Sequence, residues 1–284
     1  MSDLDVKQYL ARQRAQWDQG AEGWLRWRHT FAQRTDDRAL VDAVGVKPGD
    51  DVLDVGAGSG DPALALARAV GPEGYVVATD LSPAMLAVAQ ARAGEEGLEN
   101  IAVRAIPAED LDFVQGSFDA AVSSFTLMLI ADPVSVARQI HRFLRPGGRF
   151  AVSVWATPDK VPMLSMPAQI IFSELGIAPP SPEGPGLFAL GDPSRLKRVL
   201  EEAGFSRVSV WPLPYRFRFE KADDYGVFIR DVAIVLSGLV AEHAPKRQEE
   251  IWEKVSAYGR ERAAPDGSLT FENEAFIATG TRAS

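Results

Sequence analysis

Residues 51–67, which read DVLDVGAGSGDPALALA, decide the fold of this chain. An apolar run from Val52 to Val55 ends at Gly56, Gly58 and Gly60, and an alanine- and leucine-rich helical pattern follows at once. The pattern predicts a strand, a tight turn and a helix. Glycine suits such a turn because it accepts positive φ and lets a ligand lie against the backbone, while the first N–H groups of the helix face that ligand. We therefore expect this loop to bind a small molecule.

The spacing of the glycines narrows the class of ligand. A dinucleotide fingerprint has its third glycine one position later than Gly60, where Asp61 stands. No Lys-Ser/Thr pair follows, so the loop is not a phosphate-binding P-loop. Asp54 at the strand end and Asp61 at the helix start would repel a pyrophosphate. A cationic or zwitterionic ligand is favoured instead.

A second strand, from Tyr75 to Thr79, ends in Asp80, whose carboxylate can accept hydrogen bonds from ribose hydroxyls. Together the two segments, VLDVGAGSG and VVATDLSPAML, resemble motifs I and II of the class I S-adenosylmethionine-dependent methyltransferases. The chain is most similar to the ubiquinone/menaquinone C-methyltransferase-like group. The resemblance is strong from Val44 to Trp155 and rests elsewhere on the order of the elements. It implies S-adenosyl-L-methionine as the cofactor.

The resemblance also implies which residues contact the cofactor. They belong to the glycine loop and to the ends of the neighbouring strands: Asp54, Gly56, Ala57, Gly58, Gly60, Asp80, Leu81, Met85, Ala108, Glu109, Ser123 and Ser124. One position departs from the family pattern, because Pro107 stands where an acid usually reaches the adenine amino group. Either Glu109 or Asp110 then supplies the acceptor, and we favour Glu109. The alternative is that both acids simply cap or solvate the following turn.

Strands alternate with helices along the chain, which predicts right-handed crossovers and a parallel sheet. The expected fold is α/β, a Rossmann-like doubly wound sheet. As the resemblance implies, it has seven strands, mostly parallel, with the last strand, Glu274 to Thr281, antiparallel. We expect four parts: an N-terminal helical lid (1–44), a cofactor-binding core (45–155), a cap insertion (156–191) and the C-terminal part of the sheet with further helices (192–284).

Two segments flank this core. Val6 to Arg38 is amphipathic and aromatic-rich, so it is either a pair of helices that pack on the domain or a lid over cofactor and substrate, and these interpretations are compatible. Within it, Arg26 and Arg28 are candidates to meet the cofactor's carboxylate. The proline-rich insertion at 156–191 is too long for an ordinary connection. It is either a packed surface excursion or a substrate cap, and its few charges favour a cap for an apolar substrate.

The formal net charge is −9 and the sequence has no run of lysine and arginine, so we expect no nucleic-acid partner. There is no cysteine, which excludes disulfides and zinc-thiolate sites, and we expect no metal. No apolar stretch is long enough to span a bilayer and no signal peptide is evident. These features predict a cytoplasmic protein without stable membrane insertion; a homodimer stays open.

A sulfonium methyl group is already activated, so transfer mainly requires alignment of donor and acceptor in a desolvated pocket. No base is placed by a motif; His29, Tyr215 and Tyr225 are titratable candidates, whereas His141 and Asp119 have expected structural roles. The leading hypothesis is an enzyme that methylates a small, fairly apolar molecule, either a quinone precursor or a secondary metabolite. The alternatives are a non-methylating enzyme, such as a cyclase, on the same scaffold, and a tRNA or protein methyltransferase, which the acidic charge disfavours.

Overall fold

The computed structural model describes residues 3–27, 36–181 and 184–283. Its centre is a seven-stranded sheet in the order β3-β2-β1-β4-β5-β7-β6. The strands in chain order are β1 (Asp51–Val55), β2 (Tyr75–Asp80), β3 (Ile101–Ala105), β4 (Phe118–Ser124), β5 (Leu144–Trp155), β6 (Ser206–Phe219) and β7 (Leu269–Thr281).

The strand pairing makes this a doubly wound sheet. β1 pairs in parallel with both β2 and β4, and β3 and β5 extend the parallel part outward on either side. β7 lies between β5 and β6 and is antiparallel to both. The predicted Rossmann-like sheet with an antiparallel last strand is therefore confirmed. The chain reverses its winding between β1 and β4, the place where open α/β sheets bind ligands.

Helices cover both faces of the sheet. In chain order they are α1 (Asp3–Arg26), α2 (Asp36–Val44), α3 (Asp61–Val70), α4 (Pro83–Glu95), α5 (Pro133–Phe143), α6 (Pro162–Leu175), α7 (Pro193–Glu202), α8 (Asp224–Val232), α9 (Ile234–His243) and α10 (Gln248–Arg260). Across the described ranges, no helix combines the length and the apolar character needed to span a bilayer.

The alternation of side chains along each strand creates two cores. In β1, Val52 joins the cluster formed with α2 and α3, while Leu53 and Val55 join the cluster on the opposite face. The second cluster is larger, because it continues through α5 and α7 into α6 and the C-terminal helices. Helices of the insertion and of the C-terminal part are thus built into one core with the sheet. Ile171 of α6, for example, is fully buried.

Several element boundaries differ from the sequence-based prediction. The predicted strand Val208 to Trp211 extends to Phe219, although Pro212 and Pro214 lie inside it. In the described sheet β6 is an edge strand whose neighbour is β7, so one of its two sides has no neighbouring strand. A proline whose missing N–H lies on that side removes no hydrogen bond from the sheet. β7 and β5 likewise begin five residues before their predicted starts at 274 and 149. At the N-terminus, α1 is a single helix up to Arg26.

Candidate active site

A cavity of about 220 Å³ opens at the edge where the parallel strands end. It is lined by the glycine loop after β1, by the ends of β2, β4 and β5, and by residues of α1, α6, β6 and α8. β1 and β4 are neighbours in the sheet, and the cavity lies at their carboxyl ends, where the chain reverses its winding. The cavity is therefore both a chemical and a topological candidate for the active site.

The glycine loop is held by its own backbone. The N–H groups of Gly56 and Ala57 both donate to the carbonyl oxygen of Thr79, at 2.8 and 2.9 Å. Gly56 has φ of 76°, and a Cβ there would lie 2.2 Å from the Thr126 hydroxyl oxygen, so only glycine fits. Both N–H groups are therefore bonded within the protein. In a phosphate-binding nest, by contrast, successive N–H groups point at the anion.

Asp80 is fixed beneath the loop by two backbone donors. The N–H of Gly58 donates to Oδ2 at 2.9 Å and the N–H of Ser82 donates to Oδ1 at 2.8 Å. Burial raises the pKa of Asp80, and the backbone hydrogen bonds oppose that rise. Each carboxylate oxygen retains acceptor capacity for a further hydrogen bond. The side chain lines the cavity, so it can accept from a ligand's hydroxyl groups.

The expectation that Asp61 would repel a pyrophosphate needs correction. Its carboxylate is paired with Arg92, whose guanidinium donates to Oδ1 at 2.8 Å, and it also accepts from the Ser59 hydroxyl. Arg92 donates in addition to the carbonyl of Ser59 at 2.7 Å. Because Arg92 compensates the charge of Asp61, that carboxylate does not by itself repel an anionic ligand. Its role is to fasten the glycine loop to α4.

The segment after β3 contains Glu109 and Asp110, the two acids between which the sequence did not decide. Glu109 lines the cavity together with Ala108, whereas Asp110 is exposed to solvent. Burial raises the pKa of the Glu109 carboxyl. Tyr9 of α1 is close enough that burial and the charge of Glu109 together raise the Tyr9 pKa to about 12. Of the two acids, Glu109 is therefore the one that lies at the cavity, and its role as the acceptor for the adenine amino group stays a prediction.

Five aromatic side chains line the cavity and are called the aromatic wall below: Phe125, Trp155, Tyr215, Phe217 and Phe228. Phe125 and Trp155 stack with ring centroids 4.4 Å apart, and Trp155 meets Tyr215 edge-on at 4.8 Å. Phe125 has φ of 49°, a strained value for a bulky residue, and its N–H donates to the carbonyl of Ser153. Such strain is concentrated at functional sites, because there it positions a side chain.

Helix α1 also lines the cavity. Leu10, Gln13, Trp17 and Trp24 line the cavity along one face of the helix. The Tyr9 hydroxyl donates to the carbonyl of Leu129 at 2.7 Å, which fastens the first half of the helix to the loop after β4. Helix α1 thus forms part of the cavity wall, and its action as a lid stays a prediction.

The structure brings most of the predicted cofactor residues to the cavity. Those that line it are Gly56, Ala57, Gly58, Asp80, Leu81, Met85, Ala108, Glu109 and Ser124. Three others lie behind its wall: Asp54, Gly60 and Ser123. Ser123 points to the opposite side of β4 from Ser124 and is fully buried. A Cβ at Gly60 would lie 2.8 Å from the Cβ of Ala89, so that glycine serves the packing of α3 on α4. Asp54 is also fully buried.

The remaining candidates are placed elsewhere or cannot be placed. Arg26 donates to Asp231 at 2.8 Å instead of facing the cavity. The Tyr225 hydroxyl is committed to the carbonyl of Met163 at 2.7 Å, and burial raises the pKa of Tyr225 far above its usual value. His29 and Arg28 lie outside the described residues.

Two residues with expected structural roles lie away from the cavity lining. His141 packs edge-on against Phe205, with ring centroids 5.0 Å apart. Asp119 pairs with Arg145 and accepts from the N–H of Asp51. Both contacts are structural, as expected.

Sequence reasoning missed several residues of the cavity. Tyr9 and Gln13 carried no motif, although with Trp17 they are spaced four residues apart on one face of α1, a helical stripe that could have been recognised. The approach of Phe228 from α8 depends on tertiary packing and had no local signal. Among the described residues that line the cavity, the charged side chains are Asp61, Asp80 and Glu109, all of them acids.

Comparison with known proteins supports the resemblance to methyltransferases that the sequence motifs indicated. The model of a methyltransferase domain family matches residues 46–204, more than half of the chain. The chain is 40% identical to nocamycin O-methyltransferase of Saccharothrix syringae over 116 residues, which are 41% of each protein. It is 29% identical over 188 residues to the ubiquinone/menaquinone biosynthesis C-methyltransferase UbiE of Vibrio cholerae, covering 62% of this chain and 72% of that protein.

Among solved structures, YcgJ from Bacillus subtilis is similar with a TM-score of 0.58 and 19% identity, over 87% of this chain and 98% of that one. At this identity the similarity supports the fold alone. The match to nocamycin O-methyltransferase spans less than half of that enzyme's length. The family model covers both the glycine loop and Asp80, and the sheet has the order and antiparallel strand expected from the resemblance. The chain therefore belongs to the methyltransferase domain family, within the class I S-adenosylmethionine-dependent methyltransferases.

Proposed function

We propose that this protein transfers the methyl group of S-adenosylmethionine to a small, largely apolar molecule by in-line displacement. The observation that carries the proposal is one cavity lined by two chemically different groups of residues: polar cofactor-type contacts around the glycine loop, and the aromatic wall. Bringing two reactants together in a site of this kind is the main requirement of the reaction.

The residues of the first group fit the cofactor. Asp80 offers carboxylate oxygens for the ribose hydroxyls, while Leu81 and Met85 offer apolar surface to the adenine. Glu109 is proposed as the acceptor for the adenine amino group. The acidic lining suits a positively charged ligand, because a sulfonium is attracted by carboxylates in a poorly hydrated site. When bound, the cofactor supplies an electrophilic methyl group.

The second group is proposed to hold the acceptor. The aromatic wall, with Met163 and Leu164 of α6, gives this part of the cavity an apolar surface. The names of the relatives differ in the atom they imply, since one is an O-methyltransferase and the other a C-methyltransferase. A quinone precursor or a secondary metabolite fits such a wall, whereas a tRNA segment, with its charged backbone, does not suit an apolar surface.

The chain's own residues contribute position and exclusion of water. Helix α1 and the aromatic wall shield the reacting groups, and the strained backbone at Phe125 fixes one edge of the acceptor site. For an acceptor that must lose a proton, Tyr215 is the titratable side chain of the aromatic wall that is proposed to serve.

The direct test is calorimetric titration with S-adenosylmethionine, followed by measurement of S-adenosylhomocysteine after addition of quinols, phenols and amines. We expect micromolar or tighter binding and turnover with at least one neutral acceptor. Binding without turnover across the panel would favour a non-methylating role such as cyclisation. The absence of binding would overturn the proposal.

Further expectations accompany this function. We propose that α1 acts as a lid and that the 156–191 insertion acts as the substrate cap, with the four-part division given above. A cytoplasmic location, no nucleic-acid partner and a homodimer also stay predictions. Cell fractionation, tRNA-binding assays and sedimentation of the purified chain would test them separately.

A further inference from the structure

Helix α1 is tied down at both ends of the cavity. Near its C-terminus, the Trp27 indole N–H and the Arg26 guanidinium donate to the same Asp231 oxygen, at 2.9 and 2.8 Å. Two glycines let the helix approach the C-terminal helices closely. A Cβ at Gly20 would lie 2.5 Å from Ile234, and one at Gly23 would lie 2.5 Å from the Asp231 carbonyl. This anchor joins α1 to α8 and α9.

A second anchor joins α1 to the cofactor side. Asp18, on the helix beside the cavity-lining Trp17, accepts a hydrogen bond of 2.6 Å from the hydroxyl of Ser82. The same Asp18 oxygen accepts from the N–H of Ala84 at 3.3 Å. Ser82 is fully buried and is the N-cap of α4, where its hydroxyl also accepts from the N–H of Met85 at 3.1 Å. Asp18 therefore extends the cap of α4 from a distant helix.

Ser82 connects this anchor to the ribose acceptor. Its N–H donates to Asp80, and its hydroxyl donates to Asp18. The two carboxylates repel each other, and the charge of Asp18 contributes to the raised pKa of Asp80. The proximity of two acids is unfavourable unless their hydrogen bonds or a positively charged ligand compensates it. The N-terminus of α4 supplies part of that compensation, since helix N-termini stabilise negative charge.

We propose that Asp18 is a positioning residue that latches α1 over the bound cofactor through Ser82. The hydrogen bond holds the helix closed on the side of the cavity that contains Asp80, Leu81 and Met85. Since α1 contributes Leu10, Gln13 and Trp17 to the cavity lining, a contact that holds the helix against α4 favours the form in which these side chains meet a bound ligand. The inference rests on the proposed function for the identity of the ligand.

The test measures the affinity of S-adenosylhomocysteine by calorimetry for the wild type, Asp18→Ala and Asp18→Asn. Loss of hydrogen bonds to a charged acceptor predicts binding about ten-fold weaker in Asp18→Ala. Asparagine retains an oxygen that can accept from Ser82, so Asp18→Asn is expected to recover binding to within about three-fold of wild type. Glu22→Ala removes an exposed acid from the same helix and serves as the charge control.

A double-mutant cycle with Ser82→Ala assigns the effect to the proposed contact. Once Ser82→Ala is present, adding Asp18→Ala should weaken binding much less than it does alone. Hydrogen exchange reports the opening of α1 itself: at saturating ligand, amides of residues 3–27 should be protected in the wild type and much less in Asp18→Ala, relative to amides of the central sheet in the same sample. Affinity of Asp18→Ala within two-fold of wild type, or full additivity in the cycle, would overturn the inference. Failure of the wild type to bind would instead overturn the proposed function.

Discussion

At the scale of single residues, the conformation of the glycine loop after β1 depends on Gly56. A methyl group there would overlap the side chain of Thr126, and the backbone has φ of 76°. Gly49 has φ of 87°, but a Cβ added there would meet no atom within 4 Å. Gly49→Ala is therefore expected to cost about 1–2 kcal/mol from the left-handed backbone alone. Gly56→Ala should cost about 1–3 kcal/mol more because of overpacking.

Urea unfolding of both variants measures the difference, since a shift in midpoint at constant slope reports stability. Equal destabilisation of the two variants would contradict the assigned contact with Thr126.

Asp80 carries the second prediction at this scale. Asp80→Ala removes a buried acceptor from both the ligand and the N–H groups of Gly58 and Ser82. We expect the affinity for S-adenosylhomocysteine to fall by roughly 1–3 kcal/mol in calorimetry. Asp112→Ala, which removes an exposed acid away from the cavity lining, should bind like the wild type. An unchanged affinity of Asp80→Ala would place the ribose acceptor elsewhere.

The sequence predicted Gly56 and Asp80 because their roles follow from a local pattern of strand, turn and helix. It did not predict Asp18 or the conformation of Phe125. Asp18 looks like an ordinary surface acid on a polar helix, and its partner Ser82 is 64 residues away. The positive φ of Phe125 depends on the stacking partner Trp155 and on the hydrogen bond to β5, neither of which is visible locally.

At the scale of elements, an ion cluster joins the amino ends of β1 and β4 to the start of β5. Arg145 donates to Asp51 at 2.9 Å and pairs with Asp119. Burial tends to raise the pKa of Asp119, but the hydrogen bonds from Arg145 and from the N–H of Asp51 outweigh it, and the pKa is lowered. The stability from this group is therefore present above the unfolded-state pKa of about 4 and is lost as pH falls through the folded-state value.

We expect Asp119→Asn to lose about 1 kcal/mol of unfolding free energy or less at pH 7, because the pair is partly exposed. The difference from the wild type should shrink below about pH 4. Urea unfolding at pH 7, 5 and 3.5 measures it, and cofactor affinity should not change because the cluster lies at the opposite edge of the sheet from the cavity. A difference that grows toward low pH would contradict the sign of the shift.

Element order was predictable to a large extent, whereas element length was not. Alternating strands and helices led to the correct sheet class, since periodicity is a local property. β6 continued through Pro212 and Pro214 because its place at the sheet edge removes the penalty that proline carries in a central strand. The insertion was recognised from its prolines, but the burial of Ile171 against the main core required the tertiary structure.

At the scale of the whole molecule, the cavity is assembled from segments far apart in the chain, from Tyr9 in α1 to Ala233 after α8. A ligand that contacts both ends stabilises the native state as a unit, because binding to the folded form alone contributes RT ln(1 + [L]/Kd). At 100 times Kd this is about 2.7 kcal/mol, which corresponds to a rise in Tm of roughly 5 °C for a chain of this size.

The last prediction concerns which ligand produces that rise. S-adenosylhomocysteine should raise Tm in a thermal-shift measurement, whereas NAD⁺ and ATP at equal concentration should not. The N–H groups of Gly56, Ala57 and Gly58 are already bonded within the protein, and the lining also contains the carboxyl groups of Asp80 and Glu109. A pyrophosphate would therefore find repulsion and few free donors, and desolvation of its charge would be uncompensated. A comparable rise with NAD⁺ would show that the loop accepts a dinucleotide despite its glycine spacing. A rise with S-adenosylhomocysteine that disappears in Asp80→Ala would locate the effect in this cavity.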